Sequence, residues 1–400
     1  MNRVHGNTRR KPKIIYIVTV PSSAVALLRG QLRYIQEHGF EVVVISSPGK
    51  ELEFVAASEG VAAFKVPMRR GISPLHDVVS LWRLLRLLWE LKPDVVNAGT
   101  TKAGLLGMVA AWMARVPIRV YTLRGLRLET LGGLKRLITS LTERLASACA
   151  RQVVSVSMSL RQAFIRHDLA PASKVVVLGQ GSGNGVDVGR FLPTEENLCR
   201  SEALRERLGI PRGAPVVGFV GRFTRDKGIA ELLDASEVVL RTFPKTWFLL
   251  LGRIEDGDPI PASYVERLEN HPRMIRAGFV TDTSPYYHLM SVLAFPSHRE
   301  GFPNVLLEAA SAGIPVVGFR VTGTADAVVH GETGLLVPRG DVGALARSLV
   351  RLLGEEALRA RMGAAARERA VKDFSNEKVW EEWLRFYKEE LATRGGYEKG

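Results

Sequence analysis

Short apolar runs alternate with longer amphipathic stretches along almost all of this 400-residue chain. A strand pattern followed by a helix pattern and another strand favours a parallel sheet with crossover helices. In the first half the apolar runs are residues 14–18, 41–45, 94–96 and 118–121, and helix patterns fill 24–37, 75–91 and 102–114. The sequence therefore predicts an α/β fold with doubly wound parallel sheets.

This alternation is interrupted near the middle of the chain. Residues 179–185 read GQGSGNG, residues 193–197 are polar, and the pattern resumes with the apolar run 216–220. A chain of this length is also too long for one ordinary hydrophobic core. We therefore predict two Rossmann-like domains, an N-terminal one at 1–185 and a second at 200–375.

The last segment, residues 376–400, contains a helix pattern between Glu377 and Leu391. The pattern carries four aromatic side chains, Trp380, Trp383, Phe386 and Tyr387. Aromatic rings gain free energy when they are buried, so this many of them is not typical of a solvated tail. The helix is predicted to cross back and pack on the N-terminal domain.

The excess positive charge of the chain belongs to its first half. Residues 1–185 contain 26 Lys/Arg and 11 Asp/Glu, whereas residues 186–400 contain 29 and 30. A positive charge that served only solubility would be spread over both halves. A one-sided positive field attracts nucleic acid, anionic lipid or a polyanionic substrate. The sequence therefore predicts an anionic partner for the N-terminal domain.

Cysteine spacing and hydropathy indicate the compartment. Cys149 and Cys199 are far apart and match no metal-binding spacing. The N-terminus shows no secretory apolar region, and no run of eighteen uncharged apolar residues occurs. We expect two free thiols in a protein of the cytoplasm, with no membrane span.

The first candidate site lies in residues 297–324, which read SHREGFPNVLLEAASAGIPVVGFRVTGT. Pro303 followed by good helix formers predicts a helix start, with the helix over 305–312. The turn before it would present backbone N–H groups at a positive helix end, which suits a diphosphate. Glu300 would face that ligand, and Glu308, one turn into the helix, could accept hydrogen bonds from ribose hydroxyls. The alternative is an ordinary loop–helix–strand unit with solvated glutamates.

The second candidate site follows the apolar run 216–220 and reads GRFTRDKG, residues 221–228. A glycine at a strand end with a basic loop that opens a helix is where doubly wound folds hold phosphates. Arg222 offers a planar fork for phosphate oxygens and Lys227 a compact charge. The G-x-G-x-x-G and Walker A motifs are absent, and two basic residues in a loop are common on surfaces. The combination with Glu300 and Glu308 makes the pattern specific.

The segments GRFTRDKG and SHREGFPNVLLEA resemble the hallmark of glycosyltransferase family 4, and the similarity covers most of residues 215–375. The resemblance implies a retaining enzyme of the GT-B fold, with two Rossmann-like domains and an interdomain cleft. In that family two glutamates flank the donor sugar-nucleotide, and Glu300 and Glu308 match both positions. Arg222 and Lys227 match the pair that binds the diphosphate.

The first half resembles the branch of that family that builds capsules, exopolysaccharides and lipid-linked glycans. The resemblance lies in residues 100–130 and 179–191, and it implies a UDP-sugar donor and an undecaprenyl-diphosphate acceptor. It also implies that Lys102, Arg124 and Asn184 line the loops that hold the acceptor or the donor sugar. Gly99 and Thr101 depart from the pattern, since close relatives often show histidine and proline there.

The reaction implied by this resemblance creates negative charge on the leaving diphosphate. Arg222, Lys227 and the N–H groups of residues 301–304 could stabilise that charge without a metal. Retention in the family is usually ascribed to same-face attack, so no protein nucleophile is expected. The residues expected to contact the donor besides the two glutamates are Gly221, Phe279, His298, Gly301, Phe302, Pro303 and Asn304.

No metal and no cofactor are expected. Residues 256–258 read DGD, which resembles a metal-binding DxD motif, but the loop is rich in proline and lacks a companion His or Asp. The expected partners are a nucleotide-sugar donor and a glycan or polyprenyl-diphosphate-linked acceptor. Since such an acceptor lies at a bilayer, we expect the basic domain to bind the anionic inner face of the cytoplasmic membrane peripherally.

Two other functional classes remain open from the sequence. One is a GT-B sugar-nucleotide epimerase, hydrolase or phosphorylase. The other is a nucleic-acid-binding protein, as the charge alone suggests, but that class needs exposed aromatic side chains among the basic ones. Trp82 and Trp89 occupy core-like positions of the helix pattern 75–91, so we predict that this helix is core and that nucleic acid is not a partner.

Overall fold

The computed structural model describes residues 10–69, 71, 73–255 and 257–393. Their contacts divide the chain into two compact units. The N-terminal unit contains the chain up to Ser155, Phe164–Leu178 and the chain from Trp380 onward. The C-terminal unit contains Val156–Ala163 and Gly179–Val379.

The N-terminal unit is built on a parallel sheet that has seven strands within the described residues. The strand order is β3-β2-β1-β4-β5-β6-β7. The strands are β1 (Lys13–Ile17), β2 (Glu41–Ser46), β3 (Ala62–Lys65), β4 (Val95–Gly99), β5 (Ile118–Leu123), β6 (Gln152–Ser155) and β7 (Val175–Val176). The helices are α1 (Pro21–Leu28), α2 (Gln31–Glu37), α3 (Lys50–Glu59), α4 (Pro74–Leu91), α5 (Thr101–Met113) and α6 (Gly133–Cys149). Helix α7 (Met158–Arg166) contributes residues to both units.

The C-terminal unit is built on a second parallel sheet, with six strands among the described residues in the order β10-β9-β8-β11-β12-β13. They are β8 (Val216–Val220), β9 (Trp247–Leu251), β10 (Met274–Gly278), β11 (Val292–Phe295), β12 (Val316–Phe319) and β13 (Gly334–Val337). The helices are α8 (Val188–Phe191), α9 (Glu195–Arg207), α10 (Ile229–Thr242), α11 (Ala262–Asn270), α12 (Ser284–Tyr287), α13 (Asn304–Ala312), α14 (Thr324–Ala327), α15 (Val342–Gly354) and α16 (Glu356–Phe374). The last helix, α17 (Asn376–Ala392), begins here and continues into the N-terminal unit.

Both sheets are covered on two faces, which explains the nearly unbroken apolar runs of the sequence. In β8, Val217 and Phe219 belong to a core cluster with residues of α10 and α15. Val216 and Val220 point to the other face and pack in a cluster with residues of α13. Successive side chains of a strand point to opposite faces, so one short strand supports two hydrophobic layers. The predicted fold class, two doubly wound domains, is confirmed.

The strand order of each sheet reverses at one place, between β1 and β4 in the N-terminal unit and between β8 and β11 in the C-terminal unit. The chain leaves the two neighbouring strands in opposite directions there, which opens a crevice at their carboxyl ends. The segments 221–228 and 297–304 follow β8 and β11. The topology therefore brings the two predicted site segments to the same edge of the C-terminal sheet.

The division of the chain differs from the predicted boundary at residue 185. Residues 156–163 belong to the C-terminal unit because polar side chains bind them to it. The hydroxyl of Ser157 donates to the carbonyl of Gly301 (2.8 Å), and the backbone N–H of Ser159 donates to Asp326 (3.1 Å). Local sequence patterns do not show such long-range hydrogen bonds.

From Trp380 onward, α17 belongs to the N-terminal unit, as the sequence predicted. Trp383 and Tyr387 are fully buried there, and their rings lie 5.5 Å apart. The amide of Asn97 in β4 donates a 2.6 Å hydrogen bond to the hydroxyl of Tyr387, and Arg151 forms a 2.7 Å ion pair with Glu390. The aromatic run therefore completes the core of the N-terminal unit.

The prediction that Trp82 and Trp89 are core residues is wrong. Their side chains in α4 are 58% and 55% exposed. The buried face of the helix consists of Ser80, Leu84, Leu85 and Leu88, and the two tryptophans lie outside that face. The pattern is apolar on nearly all sides, so periodicity could not identify the inward face. In the described part of the chain, no helix is long and apolar enough to cross a bilayer.

We predict that Trp383→Ala destabilises the protein by about 3–5 kcal/mol, because a large buried ring is lost from a packed core. Trp89→Ala is the matched control, since its ring is mostly exposed, and it should change stability by no more than about 0.5 kcal/mol. Thermal and urea unfolding of the full chain measure both. Equal losses in the two variants would contradict the assignment of α17 to the core of the N-terminal unit.

Candidate active site

The candidate site lies at the carboxyl ends of β8 and β11. Gly221 follows β8, and its N–H donates to the carbonyl of Leu251 in β9 (2.9 Å). A Cβ on Gly252 would lie 1.8 Å from the carbonyl oxygen of Gly221, so the two loops approach too closely for a side chain there. This close approach fixes where the basic loop 221–228 begins.

Lys227 and Glu300 are joined directly. Lys227 Nζ lies 2.6 Å from Glu300 Oε1, and only 18% and 11% of the two side chains are exposed. The hydroxyl of Ser297 donates a second 2.6 Å hydrogen bond to the same carboxylate oxygen. Taking both charges out of water is costly, so each needs the other as a partner. The structure thus places the two predicted residues in one contact.

Arg222 is half-exposed beside this pair. Its Nη1 donates to Glu255 (3.0 Å), and its Nη2 lies 3.7 Å from a carboxylate oxygen of Asp226. Burial lowers the pKa of Arg222, but the hydrogen bond to Glu255 and the nearby carboxylates outweigh burial and raise it above its ordinary value. Arg222 therefore carries a full positive charge with part of its guanidinium open to solvent.

Asp226 organises the loop, and the sequence reasoning missed it. It accepts a 2.6 Å hydrogen bond from the hydroxyl of Thr224 and forms a 3.2 Å ion pair with Arg299. Its backbone carbonyl accepts from the N–H of His298 (2.8 Å), which ties the β8 loop to the β11 loop. Burial alone would raise the pKa of Asp226, but the Thr224 hydrogen bond and the neighbouring cations hold it below its ordinary value.

The acidic DGD segment has a structural task in this loop. Asp258 accepts a 2.8 Å hydrogen bond from the backbone N–H of Asp226, while Asp256 lies outside the described residues. Over the described ranges, no group of three or more His, Cys, Asp or Glu side chains is arranged to hold a metal ion.

His298 is held by protein groups on both ring nitrogens. Its Nε2 lies 2.6 Å from Glu231, and its Nδ1 accepts from Arg339 Nε at 3.2 Å. Since Nδ1 accepts, the proton resides on Nε2, which donates to Glu231. The imidazole also packs near the ring of Phe319, 5.4 Å between centroids. The ring therefore positions the loop before Glu300.

Helix α13 begins at Asn304, directly after Pro303, close to the predicted start. Pro303 has no N–H, so the turn can offer the amides of Gly301, Phe302 and Asn304. The first N–H groups of a helix have no intrahelical acceptor, which leaves the amino end of α13 positive. A Cβ on Gly323 would lie 2.3 Å from the carbonyl oxygen of Gly301, so the turn can pack this closely only because residue 323 has no side chain. The ring of Phe302 packs on Phe374 at 5.2 Å and supports the turn from inside.

Glu308 lies one turn into α13 and is partly buried. The hydroxyl of Tyr287 donates to it at 2.8 Å and that of Thr283 at 3.4 Å. Burial raises the pKa of Glu308, and the Tyr287 hydrogen bond and the positive charge of Arg190 offset part of that rise. Tyr287 and Arg190 come from distant parts of the sequence and were not predicted.

Phe279 follows β10 and is 70% exposed. The guanidinium of Arg253 lies over its ring at 5.4 Å from the centroid. An exposed ring with a cation on one face leaves the other face open for a planar group. The role of Phe279 as a stacking surface for a base stays a prediction.

The three residues predicted for the acceptor or donor-sugar loops lie in different units. Lys102 and Arg124 belong to the N-terminal unit, and Asn184, which is buried, belongs to the C-terminal unit. Lys102 opens α5 and binds both carboxylate oxygens of Asp77 in α4 at 2.7 and 2.8 Å. Arg124 follows β5, and its Nε is buried.

This geometry suits the departure of an anion. Two cations and the amino end of a helix converge at one sheet edge, and two carboxylates lie on either side of that helix start. Such an arrangement can bind a diphosphate, stabilise charge that develops on it, and accept hydrogen bonds from hydroxyl groups.

Comparisons with known families give two matches, one in each half of the chain. Residues 23–181 match the family described as "Glycosyl transferase 4-like domain", and residues 214–355 match "Glycosyl transferases group 1". The first match ends within the glycine-rich segment at 179–185, and the second begins after it.

Individual relatives cover more than nine-tenths of the chain. "Capsular polysaccharide biosynthesis glycosyltransferase CapM" of Staphylococcus aureus is 37% identical over 97% of this chain and 100% of its own length. "UDP-Gal:alpha-D-GlcNAc-diphosphoundecaprenol alpha-1,3-galactosyltransferase" of Escherichia coli is 25% identical over 92% of this chain and 95% of its own. The crystal structure of Anabaena Alr3699/HepE in complex with UDP and glucose superposes with a TM-score of 0.77, at 22% identity, over 94% of this chain and 100% of that one. The chain therefore belongs to glycosyltransferase family 4, has the GT-B fold, and falls in the branch that contains capsular-polysaccharide glycosyltransferases.

Proposed function

We propose that this glycosyltransferase moves a hexose from a UDP-sugar to a lipid-linked glycan acceptor, with retention of configuration, in the synthesis of a cell-surface polysaccharide. The observation that carries the proposal is the Lys227–Glu300 pair, with Arg222 near the same carboxylate, in the loops that precede α10 and α13. A nucleoside diphosphate leaving group suits this site, because positive charge is concentrated at that edge of the sheet.

In this proposal Arg222 and Lys227 hold the diphosphate. Arg222 already carries its charge at the solvent edge of the loop, with a guanidinium fork that can bind two oxygens. Lys227 is paired with Glu300, so a bound diphosphate competes with that carboxylate for the ammonium group. Released in part from Lys227, Glu300 accepts hydrogen bonds from hydroxyls of the donor sugar.

Glu308 takes the ribose. Its carboxylate is oriented by Tyr287 and Thr283, and one oxygen remains for a vicinal diol. The names of relatives support the choice of donor, since the E. coli protein is named for UDP-Gal and the Anabaena structure holds UDP and glucose. Phe279 would then stack on the base.

The reaction needs no metal in this proposal, because protein cations and helix N–H groups supply the positive charge that the leaving group requires. Asp258 is occupied as an acceptor for the backbone of Asp226. No nucleophile is assigned to the protein, because Glu300 in the bound state accepts hydrogen bonds from Ser297 and from hydroxyls of the donor sugar. The acceptor hydroxyl attacks on the face that the diphosphate leaves.

The N-terminal unit has a surface suited to a lipid-linked acceptor. Helices α4 and α6 both pack against α5, and each leaves an apolar stripe exposed. We call this surface the apolar face; its residues are Leu75, Val78, Val79, Trp82 and Trp89 of α4, Trp112 and Met113 of α5, and Leu134, Leu137, Ile138, Leu141 and Leu145 of α6. Exposed apolar side chains in this number on three neighbouring helices are typical of a binding surface.

Basic side chains lie on the same helices as this apolar face. Arg83 and Arg86 lie on α4 and Lys135 and Arg136 on α6, all exposed. Arg86 lies over the ring of Trp82 at 5.9 Å. Apolar and tryptophan side chains with basic residues beside them match the interface of an anionic bilayer. We therefore propose that the enzyme works as a peripheral protein on the cytoplasmic side of a membrane, where a diphosphate-linked acceptor is held.

A donor panel tests the reaction. Incubation of the full chain with UDP-, GDP- and ADP-sugars should show slow hydrolysis of a UDP-hexose, because water replaces the missing acceptor. The same rate in excess EDTA and in added Mg²⁺ is expected, since no step uses a metal. Hydrolysis of no UDP-sugar would contradict the donor, and a clear Mg²⁺ requirement would contradict the metal-free clamp.

The diphosphate clamp predicts the effect of Lys227→Ala. The activation free energy should rise by about 2–4 kcal/mol and turnover should fall accordingly, as in other enzymes that lose one charge-stabilising donor. Lys227→Gln removes the charge but can still donate a hydrogen bond to Glu300. Low turnover in this variant would therefore come from the missing charge and not from a Glu300 carboxylate left without a partner. Arg225→Ala, on the same turn but bound to Pro259, is the control. Normal turnover in both Lys227 variants would remove this residue from the clamp.

The membrane proposal predicts that the full chain co-sediments with vesicles rich in phosphatidylglycerol, less with phosphatidylcholine, and is released by high salt. Leu137→Ser with Leu141→Ser should weaken binding about tenfold or more, because two apolar side chains no longer enter the interface. Val371→Ser, at an exposed valine of the C-terminal unit, should leave binding unchanged. Binding that ignores both lipid charge and the leucine pair would contradict the proposal.

A further inference from the structure

A cavity of about 360 Å³ lies in the C-terminal unit, between α15, α16 and the loop before β13. The strands of this sheet are parallel, so the loop before β13 lies at the edge where the strands begin. The segments 221–228 and 297–304 lie at the opposite edge, where the strands end. Among the described residues, none of those assigned to the donor lines this cavity, so it is separate from the candidate active site.

Three exposed arginines line the cavity, Arg347 and Arg351 from α15 and Arg361 from α16. Arg347 and Arg351 are one helical turn apart, and two like charges at that spacing destabilise a helix. Arg351 forms a 3.0 Å ion pair with Glu355. Arg347 and Arg361 have no ion pair and no side-chain hydrogen bond with any other described residue. Two planar guanidinium groups from two helices are therefore free to bind the oxygens of an anion.

The cavity also contains neutral hydrogen-bonding groups. The Nδ1 of His330 accepts a 2.9 Å hydrogen bond from the backbone N–H of Leu336, so the proton of the neutral ring is on Nε2. Within the part of the chain that the structure describes, no protein acceptor binds this Nε2–H. Ser348 of α15, which also lines the cavity, adds a hydroxyl that can donate or accept. These groups suit a ligand that carries hydroxyls as well as an anion.

The size and the apolar lining of the cavity narrow the choice of ligand. Its volume equals that of about twelve molecules of liquid water, so a phosphate group alone fills only part of it. The buried side chains of Leu335, Leu358 and Met362 line it as well, and they suit the C–H face of a sugar ring. Among the described lining residues the imidazole of His330 is the only aromatic ring, whereas nucleotide bases are usually stacked on aromatic side chains. The lining therefore favours a sugar phosphate over a nucleotide.

We propose that this cavity is a binding site for a sugar monophosphate. Arg347 and Arg361 hold the phosphate, the sugar ring lies on the apolar side chains, and His330 and Ser348 bind ring hydroxyls. A bound phosphate also relieves the repulsion between Arg347 and Arg351, because it places negative charge beside both. The site is separate from the donor clamp at Lys227, and it does not depend on which donor or acceptor the enzyme uses.

Glucose 6-phosphate, glucose and inorganic phosphate are the probes, titrated into the full chain by calorimetry. Glucose 6-phosphate carries no phosphate on its anomeric carbon, so it does not mimic a nucleotide-sugar donor. It should bind about tenfold or more tightly than either glucose or inorganic phosphate. Arg347→Gln and Arg361→Gln should each weaken its binding about tenfold or more, as expected when a hydrogen bond to a charged group is lost. Arg212→Gln, at an arginine of the same unit that is 78% exposed, is the control and should change binding by no more than about twofold.

A parallel titration with UDP separates this site from the donor clamp. Arg361→Gln should keep UDP binding, and Lys227→Ala should weaken UDP binding but keep that of glucose 6-phosphate. Equal affinity for glucose 6-phosphate and inorganic phosphate would overturn the proposal, as would wild-type affinity in both Arg347→Gln and Arg361→Gln. A loss shared by Arg212→Gln would overturn it too, since general surface charge would then explain the binding. Loss of glucose 6-phosphate binding in Lys227→Ala would place that ligand at the donor clamp instead.

Discussion

The reversal of strand order between β8 and β11 is the constraint on which the candidate active site depends. It places the ends of two strands side by side with their following loops turned apart, so polar loops can face one another without burying unpaired backbone. The loops are then fastened by a few contacts, above all the hydrogen bond from the N–H of His298 to the carbonyl of Asp226. Lys227 and Glu300, seventy-three residues apart, meet because of this topology.

The two units differ in how their buried charged side chains are paired. In the C-terminal unit each buried charge of the site has a partner: Lys227 has Glu300, Asp226 has Arg299, and Glu308 has the hydroxyl of Tyr287. A diphosphate that binds Lys227 must displace Glu300 from the ammonium group, and Glu300 then depends on the hydroxyl of Ser297 and on hydroxyls of the donor sugar. In the N-terminal unit, by contrast, the Nε of Arg124 is buried without a hydrogen-bond partner among the described residues.

The fold and the centre of the site could be predicted from the sequence because both are encoded locally. A strand pattern, a glycine, a basic loop and a helix start lie within a few residues of each other in 216–228 and again in 292–312. The partners that orient these residues lie far away in sequence, and no spacing rule indicates them. Tyr287 reaches Glu308 from another helix, and Ser157 reaches Gly301 across 144 residues.

The face of a helix is predictable only when its sides differ in polarity. In α4 leucine, valine and tryptophan surround most of the axis, so the pattern allowed the tryptophans to be core. The structure assigns the core to the stripe that contains Ser80, Leu84 and Leu88, and the rings remain outside. An isolated soluble domain gains nothing from two exposed tryptophans, because burying them would stabilise it. In the membrane contact that we propose, the rings enter the bilayer interface while the neighbouring arginines stay at the level of the lipid phosphates. That proposal accounts both for the excess positive charge of residues 1–185 and for the exposed tryptophans of α4.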